Sequence, residues 1–180
     1  MTVWFTSDTH FADPRVLRID RRPYPDLATH DAALIEAWNE RVAPDDTVWH
    51  LGDFALGRPA GHVDRLLGAL HGNKHLIVGN NDGPETTTSG YFASIQHYKE
   101  LEIDGIPLVL CHYPFRTWNK MGKGCIDLHG HSHGRLKPVP RQIDVGVDAW
   151  GYRPVTLAEM LEARATKRRP KAPPEPGEGA

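Results

Sequence analysis

The chain has 180 residues, 39% hydrophobic and 24% charged, with a formal net charge of −2; these values suit one soluble globular domain built on one core. That charge excludes nucleic-acid binding by electrostatic attraction alone. The longest apolar stretches, such as PLVLC at 107–111, are far too short to span a bilayer.

In chain order, TVWFTS (2–7) is a short run of β-formers ending at Asp8 and is predicted as the first strand. The opening decapeptide has neither a basic start nor a long apolar region, so no signal peptide is expected. ATHDAALIEAWNERVAP places Leu34, Ile35, Trp38 and Val42 at helical spacing, with Pro44 as the stop. TVWHL (47–51) predicts a second strand ending in Gly52 and Asp53. PAGHVDRLLGAL predicts a helix with Val63, Leu66, Leu67 and Leu70 on one face. HLIVG (75–79) predicts a third strand running into Asn80, Asn81 and Asp82. This strand–helix alternation points to parallel pairing through crossover helices.

The second half has a different character. YKELEIDGIPLVLCH has two β-type runs around Asp104 and Gly105, a strong hairpin signal. CIDLHGHSHG and RQIDVGVD each contain a strand candidate. TLAEMLEARA is a closing helix, with Thr156 and Glu159 at capping-box spacing. The domain is expected to span 1–166, and the charged, proline-rich 167–180 is expected to be a disordered tail. Cys111 and Cys125 lie far apart in no paired motif, which suits a reduced, cytoplasmic setting; Cys111 reads as a small core residue.

Eleven histidines is the total that stands out, because histidine is the commonest metal ligand. Potential ligands follow the ends of β-runs in order: Asp8 with His10, then Asp53, Asn80, His112, and His131 with His133. Singly, Asp8 with His10 fits an ordinary loop, Gly52-Asp53 a turn, Asn80 a strand that stops and turns, and His112 a satisfied half-buried histidine. GHSH (130–133) is stronger, and all five in sequence are hard to explain by packing. Strand ends in open α/β sheets converge on one crevice. Three carboxylate or amide oxygens and four imidazoles are too many for one tetrahedral zinc. They suit two divalent ions roughly 3.5–4 Å apart sharing one carboxylate. Without thiolates, the mixed nitrogen and oxygen set favours manganese, iron, nickel or zinc over magnesium or calcium, with manganese placed first. His129 reads as packing on its strand, and His30, His62, His71, His75 and His97 as non-catalytic.

The ordered pattern DTH, GD, GNND, H, GHSH resembles that of the calcineurin-like metallophosphoesterases, which carry D-x-H, G-D, G-N-H-[DE], H and G-H-x-H. The resemblance covers 2–155 and looks closest to short single-domain bacterial and phage members, with segments of the TSDTHF, HLGDFA, CHYP and DVGVD type. It implies an α/β fold, a two-sheet mixed sandwich flanked by helices. It implies one metal held by Asp8, His10, Asp53 and His133, and a second held by Asp53, Asn80, His112 and His131, with Asp53 bridging. A metal-bridging hydroxide is the implied nucleophile, and Asn81, Asp82 and His112 are the residues assigned to catalysis.

The chain departs from the family pattern at Asn81, where a histidine held by the following acid, here Asp82, is usual. It departs again at HFADP, where close relatives often have a histidine in HFGH. Asparagine has no proton to give near neutral pH. The expected activity is therefore hydrolysis of phosphodiesters or activated phosphate esters; a phosphomonoesterase and a non-catalytic metal-binding scaffold are the alternatives. The expected substrate is a small phosphate ester, nucleotides included, with no membrane and no stable nucleic-acid partner. Asn81 and Arg116 are the expected substrate contacts, with Arg116, Trp118 and Asn119 in a loop after His112 that could equally be ordinary surface.

Overall fold

A computed structural model describes residues 1–56 and 61–168. The first half contains β1 (Val3–Thr6), α1 (Arg15–Arg18), α2 (Leu27–Asn39), β2 (Thr47–His50), α3 (His62–Ala69), β3 (Asn73–Ile77), α4 (Pro84–Thr87) and β4 (Phe92–Gln96). The second contains β5 (Tyr98–Ile103), β6 (Ile106–Cys111), β7 (Ile126–His129), β8 (Gln142–Asp144), β9 (Val155–Thr156) and α5 (Leu157–Arg168). Among the described residues no helix is long and apolar enough to cross a membrane.

The strands form two sheets, ordered β4-β3-β2-β1-β9 and β5-β6-β7-β8. β1 to β4 are parallel, as the strand–helix alternation predicts, and β9 closes the edge antiparallel to β1. In the second sheet β5 and β6 form the predicted hairpin, while β6, β7 and β8 run parallel. The hairpin turn has φ of 51° at Asp104 and 76° at Gly105, the doubly positive turn whose twist matches that of paired strands.

Alternation along the strands splits the core in two. Trp4, Val48 and Leu76 face α2 and α3 and pack with Leu34, Trp38, Val63 and Leu67. Their neighbours Phe5, Trp49 and Ile77 point the other way and pack on Leu108, Leu110, Leu128 and Ile143 of the second sheet. The molecule is therefore an α/β sandwich of two mixed sheets with helices on its flanks.

α2 begins where Asp26 accepts the Thr29 backbone N–H at 2.7 Å, and it ends at Asn39, short of the predicted stop at Pro44. The Thr156–Glu159 capping box forms: Glu159 accepts the Thr156 backbone N–H at 2.9 Å, and Thr156 Oγ1 accepts the Glu159 N–H at 3.3 Å. α5 extends to Arg168, past the expected boundary at 166; the remainder of the expected tail, 169–180, lies outside the described residues. Cys111 and Cys125 are buried free thiols.

Candidate metal centre

The loops that leave β1, β2, β3, β6 and β7 carry the predicted ligands, and the fold brings these loops to one end of the sandwich. Backbone bonds lock them together: Asp8 N–H to Gly52 O at 2.9 Å, His10 N–H to Asp53 O at 3.0 Å, and Gly130 N–H to His112 O at 3.0 Å. At two glycines the backbone passes so close to a ligand that a side chain has no room. A Cβ on Gly79 would collide with Asp53 Oδ1, and one on Gly130 with Ser7 Oγ and Asp8 Oδ2. Asp8, His10, Asp53, His131 and His133 have φ of 57°, 50°, 58°, 64° and 48°, a region costly for residues with a Cβ and concentrated at functional sites.

Asp8, His10 and His133 offer ligand atoms within 4.8 Å of one another, and so do Asp8, Asp53 and His112. Asp53 Oδ2 sits between two imidazoles, 3.5 Å from His10 Nε2 and 3.6 Å from His112 Nε2. Asn80 Oδ1 lies 3.0 Å from the same His112 nitrogen. His131 joins through its backbone, donating to Asp8 Oδ2 at 2.9 Å, while its ring lies edge-on to His112 at 5.2 Å between centroids. All seven predicted ligand residues are thus in one neighbourhood.

The residues fit divalent metal. His10 Nε2 is buried with no hydrogen-bond partner among the described residues, 4.0 Å from Asp8 Oδ1 and 3.5 Å from Asp53 Oδ2. A buried imidazole nitrogen without a hydrogen bond, facing two carboxylates, is the arrangement a cation completes. The opposite ring nitrogens are tied back. His112 Nδ1 lies 2.7 Å from Leu51 O, His133 Nδ1 lies 2.8 Å from Asp148 Oδ2, and His10 Nδ1 lies 3.3 Å from Asp13 Oδ2. Such contacts fix the tautomer and leave Nε2 as the candidate ligand atom.

Electrostatics follow from burial. Asp8 is fully buried and its pKa is raised to about 7, because desolvation outweighs the attraction of His133 and His10. Burial also pushes Asp53 upward, but His112 and the Asn81 donors outweigh it and the net shift is downward. Burial lowers His131. Burial would lower His133 too, but the Asp148 carboxylate raises it on balance.

Several supporting residues have no signal in the sequence. Arg22, 3% exposed, donates to Asp8 O at 2.6 Å, to Thr9 O at 2.8 Å, and to both Asp148 oxygens at 3.0 and 2.8 Å. His30 is buried, lies 2.9 Å from Arg22 Nη1 through its Nε2, and so helps to hold the guanidinium. Arg22 thereby links the β1 loop to the Asp148 that orients His133. The DVGVD segment is a partial pointer to Asp148; Arg22 has no motif at all.

Asp82 lies between the loops that follow β2 and β3, and Arg116 lies on the loop after β6. The Asp82 carboxylate accepts the backbone N–H groups of Asp53 at 2.9 Å, Phe54 at 2.8 Å and Gly79 at 2.8 Å. It ties two ligand loops together and has no bond to the Asn81 side chain. Burial raises its pKa despite those three donors. Arg116 is exposed on its loop. The cavity of about 250 Å³ lined by Asp53, Asn80, Asn81, His131 and His133 is lined instead by Arg15 and Arg135. His129 is buried on β7, as expected of a packing residue.

The profile of the calcineurin-like phosphoesterase superfamily domain matches residues 1–144. The Gene 66 protein of Mycobacterium phage D29 is 34% identical over 179 residues, spanning 82% of this chain and 88% of its own. A protein of unknown function from Aquifex aeolicus superimposes with a TM-score of 0.71 at 25% identity, over 89% of this chain and 98% of that one. An archaeal phosphodiesterase shares the fold, with a TM-score of 0.50 at 20% identity over 81% and 82% of the two chains. This chain belongs to the calcineurin-like phosphoesterase superfamily.

Proposed function

We propose that the protein is a dimetal phosphoesterase acting on phosphodiesters or activated phosphate esters. The observation that carries this reading is the placement of Asp53 Oδ2 between His10 Nε2 and His112 Nε2, at 3.5 and 3.6 Å. Asp8, His10, Asp53 and His133 would hold one ion, and Asp53, Asn80, His112 and His131 the other, with manganese the first candidate and iron, nickel or zinc the alternatives. Two such cations, when bound, would lower the pKa of coordinated water and neutralise charge on phosphate oxygens.

The chain's own residues do the rest. Asp148, Asp13 and the Leu51 carbonyl hold three ligand imidazoles in orientation. Asp82 holds the Asp53 and Gly79 loops at fixed separation. Two divalent ions against the two carboxylates of Asp8 and Asp53 leave a net positive site, which an anionic ester neutralises. Asn81 offers hydrogen bonds but no titratable proton, so a departing alkoxide gains no side-chain acid at that position. This favours small esters with good leaving groups, nucleotides among them, as substrates of a catalytic domain spanning 1–166 in the cytoplasm.

The test is to strip the protein of metal, reload it with manganese or zinc, count the ions bound, and assay mono-, di- and cyclic phosphate esters. Two ions per chain with hydrolysis of aryl or cyclic diesters is the expected result. Two ions with no turnover of any ester would make the protein a metal-binding scaffold.

A further inference from the structure

We infer that Arg15 is the phosphate-binding side chain of this site, and that Asn81 serves to position it. The inference rests on the phosphoesterase reading above and names a group that reading leaves open. Arg15 opens α1, two residues after Asp13 and 66 residues before Asn81 in sequence. Asp13 is 1% exposed and takes the guanidinium in a fork: Nε donates to Oδ1 and Oδ2 at 2.9 Å, and Nη2 donates to Oδ2 at 2.6 Å. Nη2 also donates to Asn81 Oδ1 at 3.2 Å.

These bonds close a ring around one side of the metal centre. Asp13 faces His10 Nδ1 at 3.3 Å, His10 Nε2 faces Asp53 Oδ2 at 3.5 Å, and Asp53 Oδ2 accepts the Asn81 amide at 2.7 Å. Asn81 then accepts from Arg15, which returns to Asp13. The amide orientation is fixed by both neighbours: its oxygen faces a guanidinium and its nitrogen faces a carboxylate.

A plain surface ion pair between Asp13 and Arg15 is the simpler account, and such pairs stabilise little. Three features exceed it. The acid is buried, the fork is two-pronged, and a third residue from another loop steers the guanidinium into the cavity that Asp53, Asn80 and His131 also line. Arginine carries five N–H donors. The Nε and Nη2 donors are engaged, whereas Nη1 has no hydrogen-bond partner among the described residues, and the side chain is 45% exposed. A cation with free donors, pre-aimed by a buried carboxylate, is suited to a phosphate oxygen. Arg135 lines the same cavity, but among the described residues only Asp20 holds its side chain, at 2.6 Å, and it is 59% exposed.

The chemical consequence is specific. The position that offers a titratable imidazole in the family pattern here offers, through Asn81, a permanent cation. Arg15 can neutralise phosphate charge at any working pH and cannot deliver a proton.

The experiment measures the affinity of the metal-loaded protein for inorganic phosphate by calorimetry, together with metal content and KM and kcat on an aryl diester. Arg15→Gln should weaken phosphate binding about 10- to 100-fold, the range for losing a charge-assisted hydrogen bond, with metal content unchanged. Guanidinium ion added to Arg15→Ala should restore part of the lost activity, and should do nothing to wild type. Asn81→Ala should raise KM, and adding it to Arg15→Gln should cost less than it does alone, because the two act as a unit. Unchanged phosphate affinity in Arg15→Gln overturns the inference. So does a parallel loss of metal without guanidinium rescue, which would make Arg15 a support for His10. If wild type hydrolyses no ester, the proposed function fails first; if wild type is active and Arg15→Gln equals it, only the role of Arg15 fails.

Discussion

Asn81 grips both oxygens of Asp53: its backbone N–H donates to Oδ1 at 2.8 Å and its side-chain amide to Oδ2 at 2.7 Å. These donors, together with His112, keep the carboxyl below its usual range despite burial. Asp53 is therefore an anion prepared for cations on either side. If two ions share Asp53 as proposed, Asp53→Asn should weaken both sites together, because one shared charge is removed. His133→Ala should mainly weaken the site that includes Asp8 and His10. Metal titration of each variant, followed by elemental analysis, reads the difference; loss of a single ion from Asp53→Asn would remove Asp53 as the bridge.

Asp82 gives a stability prediction. Its carboxylate is the acceptor for the Asp53, Phe54 and Gly79 amides. Asp82→Ala strands these donors, and each buried unsatisfied group costs about 1–3 kcal/mol, less whatever water recovers. A net loss of roughly 2–5 kcal/mol is expected, with weaker metal binding because two ligand loops lose their tie. Urea unfolding of the metal-free protein checks the first part. A midpoint within error of wild type would show that solvent replaces the carboxylate.

The convergence of the loops that carry the predicted ligands was legible because each predicted ligand follows a β-run, and parallel strands bring their ends together wherever they lie in sequence. The hairpin at Asp104–Gly105 and the Thr156–Glu159 capping box were legible because their determinants are local. β4, with Ser94 and Gln96 in its five residues, and the two-residue β9 have no such pattern and exist only by pairing with β3 and β1. Arg22 and Asp148 are 126 positions apart, and Arg15 and Asn81 are 66 apart. No periodicity or motif connects such pairs; only the closed fold does. Arg116, whose place after His112 suggests either a pocket wall or ordinary surface, is exposed on its loop.

His50 gives a pH prediction. Its ring is buried on β2, stacked on Trp38 at 6.4 Å, with Nε2 2.9 Å from Thr9 Oγ1 and Nδ1 without a partner among the described residues. Desolvation lowers its pKa from 6.5 to about 3, against a smaller upward pull from Asp53. The folded state thus binds fewer protons than the unfolded state between those values. The stability held by neutral His50 is full above about pH 6.5 and is lost progressively as pH falls toward 3. Metal-free wild type should therefore lose more stability between pH 7 and 5 than His50→Phe, which keeps the stack and cannot titrate. Equal losses in urea midpoint for the two proteins would place the acid sensitivity elsewhere.

The absence of an imidazole at position 81 sets the last prediction. An alkoxide leaving group needs a proton as the bond breaks, whereas an aryl oxide needs little help. General acid catalysis contributes about 10²–10⁴-fold, or roughly 3–5.5 kcal/mol of barrier. Wild type should therefore show a steep decline in kcat/KM as leaving-group pKa rises, with activated aryl diesters well above simple alkyl monoesters. Asn81→His introduces an acid, but its setting differs from the one the sequence implies. Asp82 is committed to backbone amides, so the new ring has Asp53 and Arg15 as neighbours and no dedicated partner. Asp53 also loses the 2.7 Å amide donor, which should lower the rate on aryl esters. The expected outcome is a shallower plot with a lower aryl end and an alkyl gain toward the small end of the range, about 10². Two parallel plots would show that proton donation at this position does not limit the reaction and that Asn81 acts only through the groups it holds.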